Sequence, residues 1–198
     1  MGRNDSLRRR GPFREPKRRL LIVTEGEVTE PEYFKALRHH CKALVDIHFA
    51  AAGVPKTCVE KAIKLRSMDQ QTSKDPNLQY DESWCVFDVD NHPLFAEAKQ
   101  QAKDNGIRLA ISNPNFELWL LLHFQEQNSH IHRDKLPTKI KKFMPGYVKS
   151  PDMEKLLPLH VTAIERAENL RKMQNLKKMP GANPSTGVHD LVNSIKRQ

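Results

Sequence analysis

A chain of 198 residues with a formal net charge of +9 has the length of one ordinary domain, and its 38% hydrophobic content is enough for a sizeable core. No run approaches the roughly 20 apolar residues that span a bilayer, and the arginines near the N-terminus lead into no apolar signal core, so a cytoplasmic protein without a membrane segment is expected. Three cysteines, an odd number without CxxC spacing or a nearby histidine pair, speak against a disulfide framework or a zinc site and for reduced structural thiols.

Residues 1–17 read as a basic tail. Between Met1 and Arg19 stand eight Lys or Arg against two acids, which concentrates +6 of the +9 there. Arg8, Arg9, Arg10, Arg18 and Arg19 are therefore candidate nucleic-acid contacts, since such runs attract phosphate backbones by counterion release without reading sequence. A solvated arm is the plainer reading of the same run.

Beyond the tail, strand and helix signals alternate. Leu20 to Val23 is short, apolar and bounded by charge, as in a strand buried on both faces of a parallel sheet. Thr29 with Glu32 three residues on reads as a capping box, so a helix is predicted from Thr29 to about Ala43. Val45, Ile47 and Phe49 alternate with polar residues as a second strand, and a helix from about Thr57 to Met68 follows. "WCVFDVD" (Trp84 to Asp90) makes a third strand that ends in carboxylates. Pro93 opens a helix that closes at Gly106, "IRLAIS" (Ile107 to Ser112) makes a fourth strand, and "NFELWLLLHF" (Asn115 to Phe124) an apolar helix. Residues 18–126 thus predict an open, mainly parallel four-stranded α/β sheet flanked by helices. Residues 127–198 show no convincing strand and read as a helical extension packed on that core, with one long helix from about Leu159 to Met179 and a short last one.

The acids cluster where such sheets bind ligands, just past the strand carboxyl ends. Glu25 leaves the first strand, Asp88 and Asp90 leave the third, and Glu117 follows the fourth. Residues i and i+2 of an extended segment point the same way, so Asp88 and Asp90 converge. Carboxylates held close repel one another and raise one another's pKa, and a divalent cation relieves this best. Oxygen ligands alone favour Mg²⁺ or Mn²⁺. Glu30 and Glu32 read as ordinary first-turn helix acids. His92 stands near enough to the acids to donate to a phosphate, or belongs to a plain turn. Asn113, and Ser185 and Thr186 in "NPSTG" (Asn183 to Gly187), contact phosphate or merely cap helices. In the capping reading, His189 and Asp190 lie on a surface helix.

A glutamate after the first strand with DxD after the third resembles the Toprim fold, a Rossmannoid core shared by topoisomerases, primases and OLD-type nucleases. "LIVTEGEVTEPEYF", "VFDVDNH", "ISNPNFELWLLLHF" and "NPSTGVHDLV" more closely resemble the RloB family of Toprim-like proteins from bacterial restriction and phage-defence islands. That resemblance implies a Mg²⁺- or Mn²⁺-dependent nuclease working beside an ABC-type ATPase. Glu25 would then serve as general acid or base, Asp88 and Asp90 as metal ligands, and Glu117 as ligand to a second metal. DNA, transfer RNA or another RNA remain open as substrates, and so does homodimer formation. A non-catalytic adaptor docking nucleic acid or the ATPase is the alternative, and a nucleotidyl-transferring role a third. No GxxxxGK[ST] phosphate loop occurs, so ATP hydrolysis by this chain alone is not expected.

Overall fold

Leu20 and Ile22 point into one apolar cluster while Leu21 and Val23 point into another, and all four side chains are fully buried. That alternation makes β1 (Arg19–Thr24) the central strand of a two-sided structure. The computed structural model describes residues 17–51, 53–73, 75–89 and 94–197. β2 (Leu44–Phe49), β3 (Glu82–Asp88) and β4 (Arg108–Asn113) run parallel with β1 in the order β2-β1-β3-β4.

The sheet has five strands where four were predicted. Ser185–Thr186 form β5, antiparallel to β4 at the sheet edge. Two polar residues carry no readable period; their place is decided by contacts far along the chain. Gly187 N–H donates to Ile111 O at 2.8 Å, and the Thr186 and Ser112 hydroxyls bond at 2.9 Å. A Cβ at position 187 would rest 3.4 Å from the Ile111 backbone nitrogen, at ordinary van der Waals contact.

α1 (Thr29–Cys41), α4 (Glu117–Phe124), α5 (Leu136–Ile140), α7 (His160–Leu176) and α8 (Val188–Lys196) pack their apolar residues into the cluster on one face of the sheet. α2 (Pro55–Thr72) and α3 (Phe95–Asp104) cover the other face, and the one-turn α6 (Met153–Leu156) precedes α7. α4 is buried from Leu118 through His123, the all-round apolar pattern of an internal helix. Cys58 and Cys85 are free and lie in the second cluster.

Two local expectations are corrected. The capping box does not form: the N-cap is Val28, with no side-chain cap bond. The Thr29 hydroxyl instead donates to Lys149 O at 2.6 Å, and Glu32 accepts from the Ser150 hydroxyl at 2.6 Å. A distant segment laid over the start of α1 has taken both partners. In α8, His189 is fully buried where a surface position was expected, because α8 seats Val188, Leu191, Val192 and Ile195 in the main core and carries His189 inward with them.

Candidate active site

The sheet order reverses direction between β1 and β3: the chain leaves β1 toward β2 on one side and returns to β3 on the other. Glu25 and Asp88 stand at the carboxyl ends of these two strands, at the crevice where open α/β sheets bind ligands. Glu25 N–H donates to Val86 O at 2.9 Å, and the Glu25 carboxylate accepts from Asp88 N–H at 3.3 Å. The two ends are thus stitched together by the acid itself.

A cavity of about 260 Å³ opens beside this seam, lined by Glu30, Asp88, Asn115, Glu117, Arg133 and Lys149 among others. Glu117 enters as the first residue of α4. Glu30, expected to serve the helix, lies 8% exposed in the pocket, its carboxylate resting on Gly26. A Cβ at position 26 would collide with that carboxylate, so this glycine is what lets Glu30 in. Tyr147, itself buried, donates its hydroxyl to Glu117 at 3.5 Å. Arg133 places Nη2 3.9 Å from the Asp88 carboxylate.

The electrostatics are those of crowded anions. Burial first, and then the negative fields of Glu30, Glu117 and Glu25, hold the Asp88 carboxyl well above the usual carboxylate range, with Arg133 pulling the other way. Burial, aided by Glu117, likewise raises Glu30, while backbone hydrogen bonds and Lys149 oppose it. Asn115 Oδ1 is buried and has no donor among the described residues. An amide oxygen without a donor and a set of mutually repelling carboxylates fit a hard divalent cation in charge and donor type. Glu25, Glu30, Asp88 and Glu117 are the residues that would hold it. Among the described residues, no three His, Cys, Asp or Glu side chains are gathered at the spacing of a preformed metal site. Asp90 and His92 lie outside the described residues, as do Arg8, Arg9 and Arg10.

The family model described as RloB-like protein matches residues 20–195, from β1 through α8 and across the whole cavity. The chain belongs to the RloB-like family. Comparisons with curated proteins and with solved structures returned no match.

Other predicted contacts of this RloB-like protein fall elsewhere. Arg18 and Arg19 sit at the opposite edge of the sheet, before and at the start of β1. Arg18 pairs with Glu82, and Arg19 with Asp46 at 3.0 Å and Asp69 at 3.2 Å, stacked 4.6 Å over the Tyr80 ring. Their charge is engaged in holding strand entrances together. The Asn113 amide donates to Gly181 O at 2.9 Å, and the Thr186 hydroxyl accepts from Val188 N–H at 3.2 Å, a bond at the start of α8. Ser185 lines a different cavity.

Among the contributors that escaped the sequence reading are Glu30, Arg133, Tyr147 and Lys149. Glu30 had a signal in Gly26, one helical turn earlier, since a glycine there admits a carboxylate over bare backbone. Arg133, Tyr147 and Lys149 had none, because they come from an irregular segment whose path over α1 is set by tertiary contacts. No helix among the described residues is long and apolar enough to cross a membrane.

Proposed function

We propose that this RloB-like protein is a Mg²⁺- or Mn²⁺-dependent nuclease hydrolysing phosphodiester bonds on a Toprim-like scaffold, and that it acts in anti-phage defence with an ABC-type ATPase partner. One observation carries the reading. Asp88 stands half-buried at a strand end among Glu25, Glu30 and Glu117, a crowding of carboxylates that Arg133 and Lys149 offset in part and that a divalent cation would relieve further.

A bound divalent ion would supply Lewis-acid polarisation of the phosphoryl group and a more acidic water. The chain's own residues account for the rest. Glu25, anchored on the Asp88 amide, would accept a proton from the attacking water and return it to the leaving oxygen. Arg133 and Lys149 line the same pocket and offset the charge of an incoming phosphate. Tyr147 orients Glu117 through its hydroxyl.

The test is cleavage of DNA, transfer RNA and other RNA by purified protein with Mn²⁺, with and without the ATPase. Glu25→Ala and Asp88→Ala are expected to abolish it, and equal cutting by both variants would overturn the assignment. The second reading is a non-catalytic adaptor that docks nucleic acid or the ATPase on the same scaffold. Calorimetry that finds no Mn²⁺ binding selects the adaptor.

A further inference from the structure

A second cavity, of about 420 Å³, opens on the other side of the β3 end and, among the described residues, shares no lining residue with the carboxylate pocket. Val89 lines it while its neighbour Asp88 lines the first, as consecutive residues of an extended chain face opposite ways. Its volume lies within the usual range for small-ligand sites, roughly 300–1,000 Å³.

The two cavities have opposite charge. Where the first is crowded with acids, the described residues lining the second include the cations Lys99 and Arg171 and no acid. Phe95 and Lys99 share one face of α3, four residues apart, with the ammonium 5.8 Å from the ring centroid. Arg171 reaches in from α7. Among the described residues Asp190 and His189 hold it through Nη2, which anchors the guanidinium and leaves its other nitrogens to address an anion. Ile111 and Pro180 add apolar wall, and Asn175 and Ser185 supply polar groups. An apolar wall beside one anchored and one exposed cation suits a ligand that is aromatic at one end and doubly anionic at the other.

We propose that this cavity binds a nucleoside monophosphate, either free or as the phosphorylated terminus of a strand. The phosphate meets Lys99 and Arg171, and the base lies against Phe95 and Ile111. This assignment is independent of metal chemistry in the carboxylate pocket.

Calorimetry on the full chain in chelator tests it with AMP, adenosine and inorganic phosphate as separate probes. AMP is expected to bind more tightly than either fragment, and Lys99→Glu, at an exposed position that leaves the fold alone, to weaken AMP at least about tenfold, the equivalent of ~1.4 kcal/mol. A 5′-phosphorylated oligonucleotide that displaces AMP identifies the strand terminus as the occupant; one that does not identifies the free nucleotide. No AMP heat up to about 1 mM, or unchanged affinity in Lys99→Glu, refutes the proposal. Because chelator removes divalent ions, neither result depends on whether the nuclease reading survives.

Discussion

Glu82, at the start of β3, offers a test of how the C-terminal segment is fastened to the sheet. Its carboxylate accepts from the Ser194 hydroxyl of α8 at 2.5 Å and from Trp84 Nε1 at 2.8 Å, and it pairs with Arg18 and, at 3.0 Å, with Arg108. Burial alone would push this carboxyl up, but the bonds from Ser194, Trp84 and Arg18 and the charge of Arg108 outweigh it and bring it from 4.5 down to about 2. At 1.36 kcal/mol per pH unit the drop corresponds to roughly 3 kcal/mol. The Arg18 and Arg108 side chains are 40% and 55% exposed, so solvent screening reduces the figure to about 1.5 kcal/mol. A carboxyl depressed in the folded state stabilises the fold above its unfolded pKa and loses that contribution as pH falls through the folded one. Urea unfolding of Glu82→Gln is therefore expected to show a deficit of about 1.5 kcal/mol at pH 7, with an unchanged slope in urea, shrinking between pH 4.5 and about 2. A deficit that does not vary with pH over that window would refute the electrostatic account and leave lost packing as the cause.

Further expectations concern the carboxylate pocket and the core beneath it. Gly26→Ala is expected to expel Glu30 from the pocket and weaken Mn²⁺ binding by calorimetry while changing the melting temperature little; unaltered Mn²⁺ affinity would remove Glu30 from the site. In chelator, Asp88→Asn is expected to raise the melting temperature by about 2–4 °C, on the order of 1 kcal/mol for a chain of this size, because it removes a charge repelled by three neighbours. A lower melting temperature would show that the repulsion is already relieved. Burial brings His123 down to about 4, so the neutral form is favoured in the fold. Its contribution is complete above pH 6.5 and falls by roughly 3 kcal/mol as pH drops toward 4, and His123→Gln is expected to flatten the stability slope across that interval.

The β1, β3 and β4 runs and the helices between them were legible because a doubly buried strand and an amphipathic or fully apolar helix leave a period in the sequence. The convergence of Glu25, Asp88 and Glu117 on one edge follows from parallel connectivity, which brings strand carboxyl ends together. β5 was not legible, since Ser185 and Thr186 have no period and their pairing depends on hydroxyl and backbone contacts with β4. The start of α1 at Thr29 was legible but its capping was not, since Thr29 and Glu32 satisfy a local capping pattern yet bond to Lys149 and Ser150, over a hundred residues away.

The sequence by itself determined an alternating α/β chain whose acids gather at one rim, because hydrophobic periodicity and strand direction are local properties that add up along the chain. Only the tertiary structure decided which acids are buried and what answers their charge. It brought Glu30 in over Gly26, carried Arg133, Tyr147 and Lys149 to the pocket from an irregular segment, and engaged Arg18 and Arg19 at the far edge. Burial and ion pairing are properties of neighbours in space, and the charge state of Asp88 depends on groups that no spacing rule connects to it.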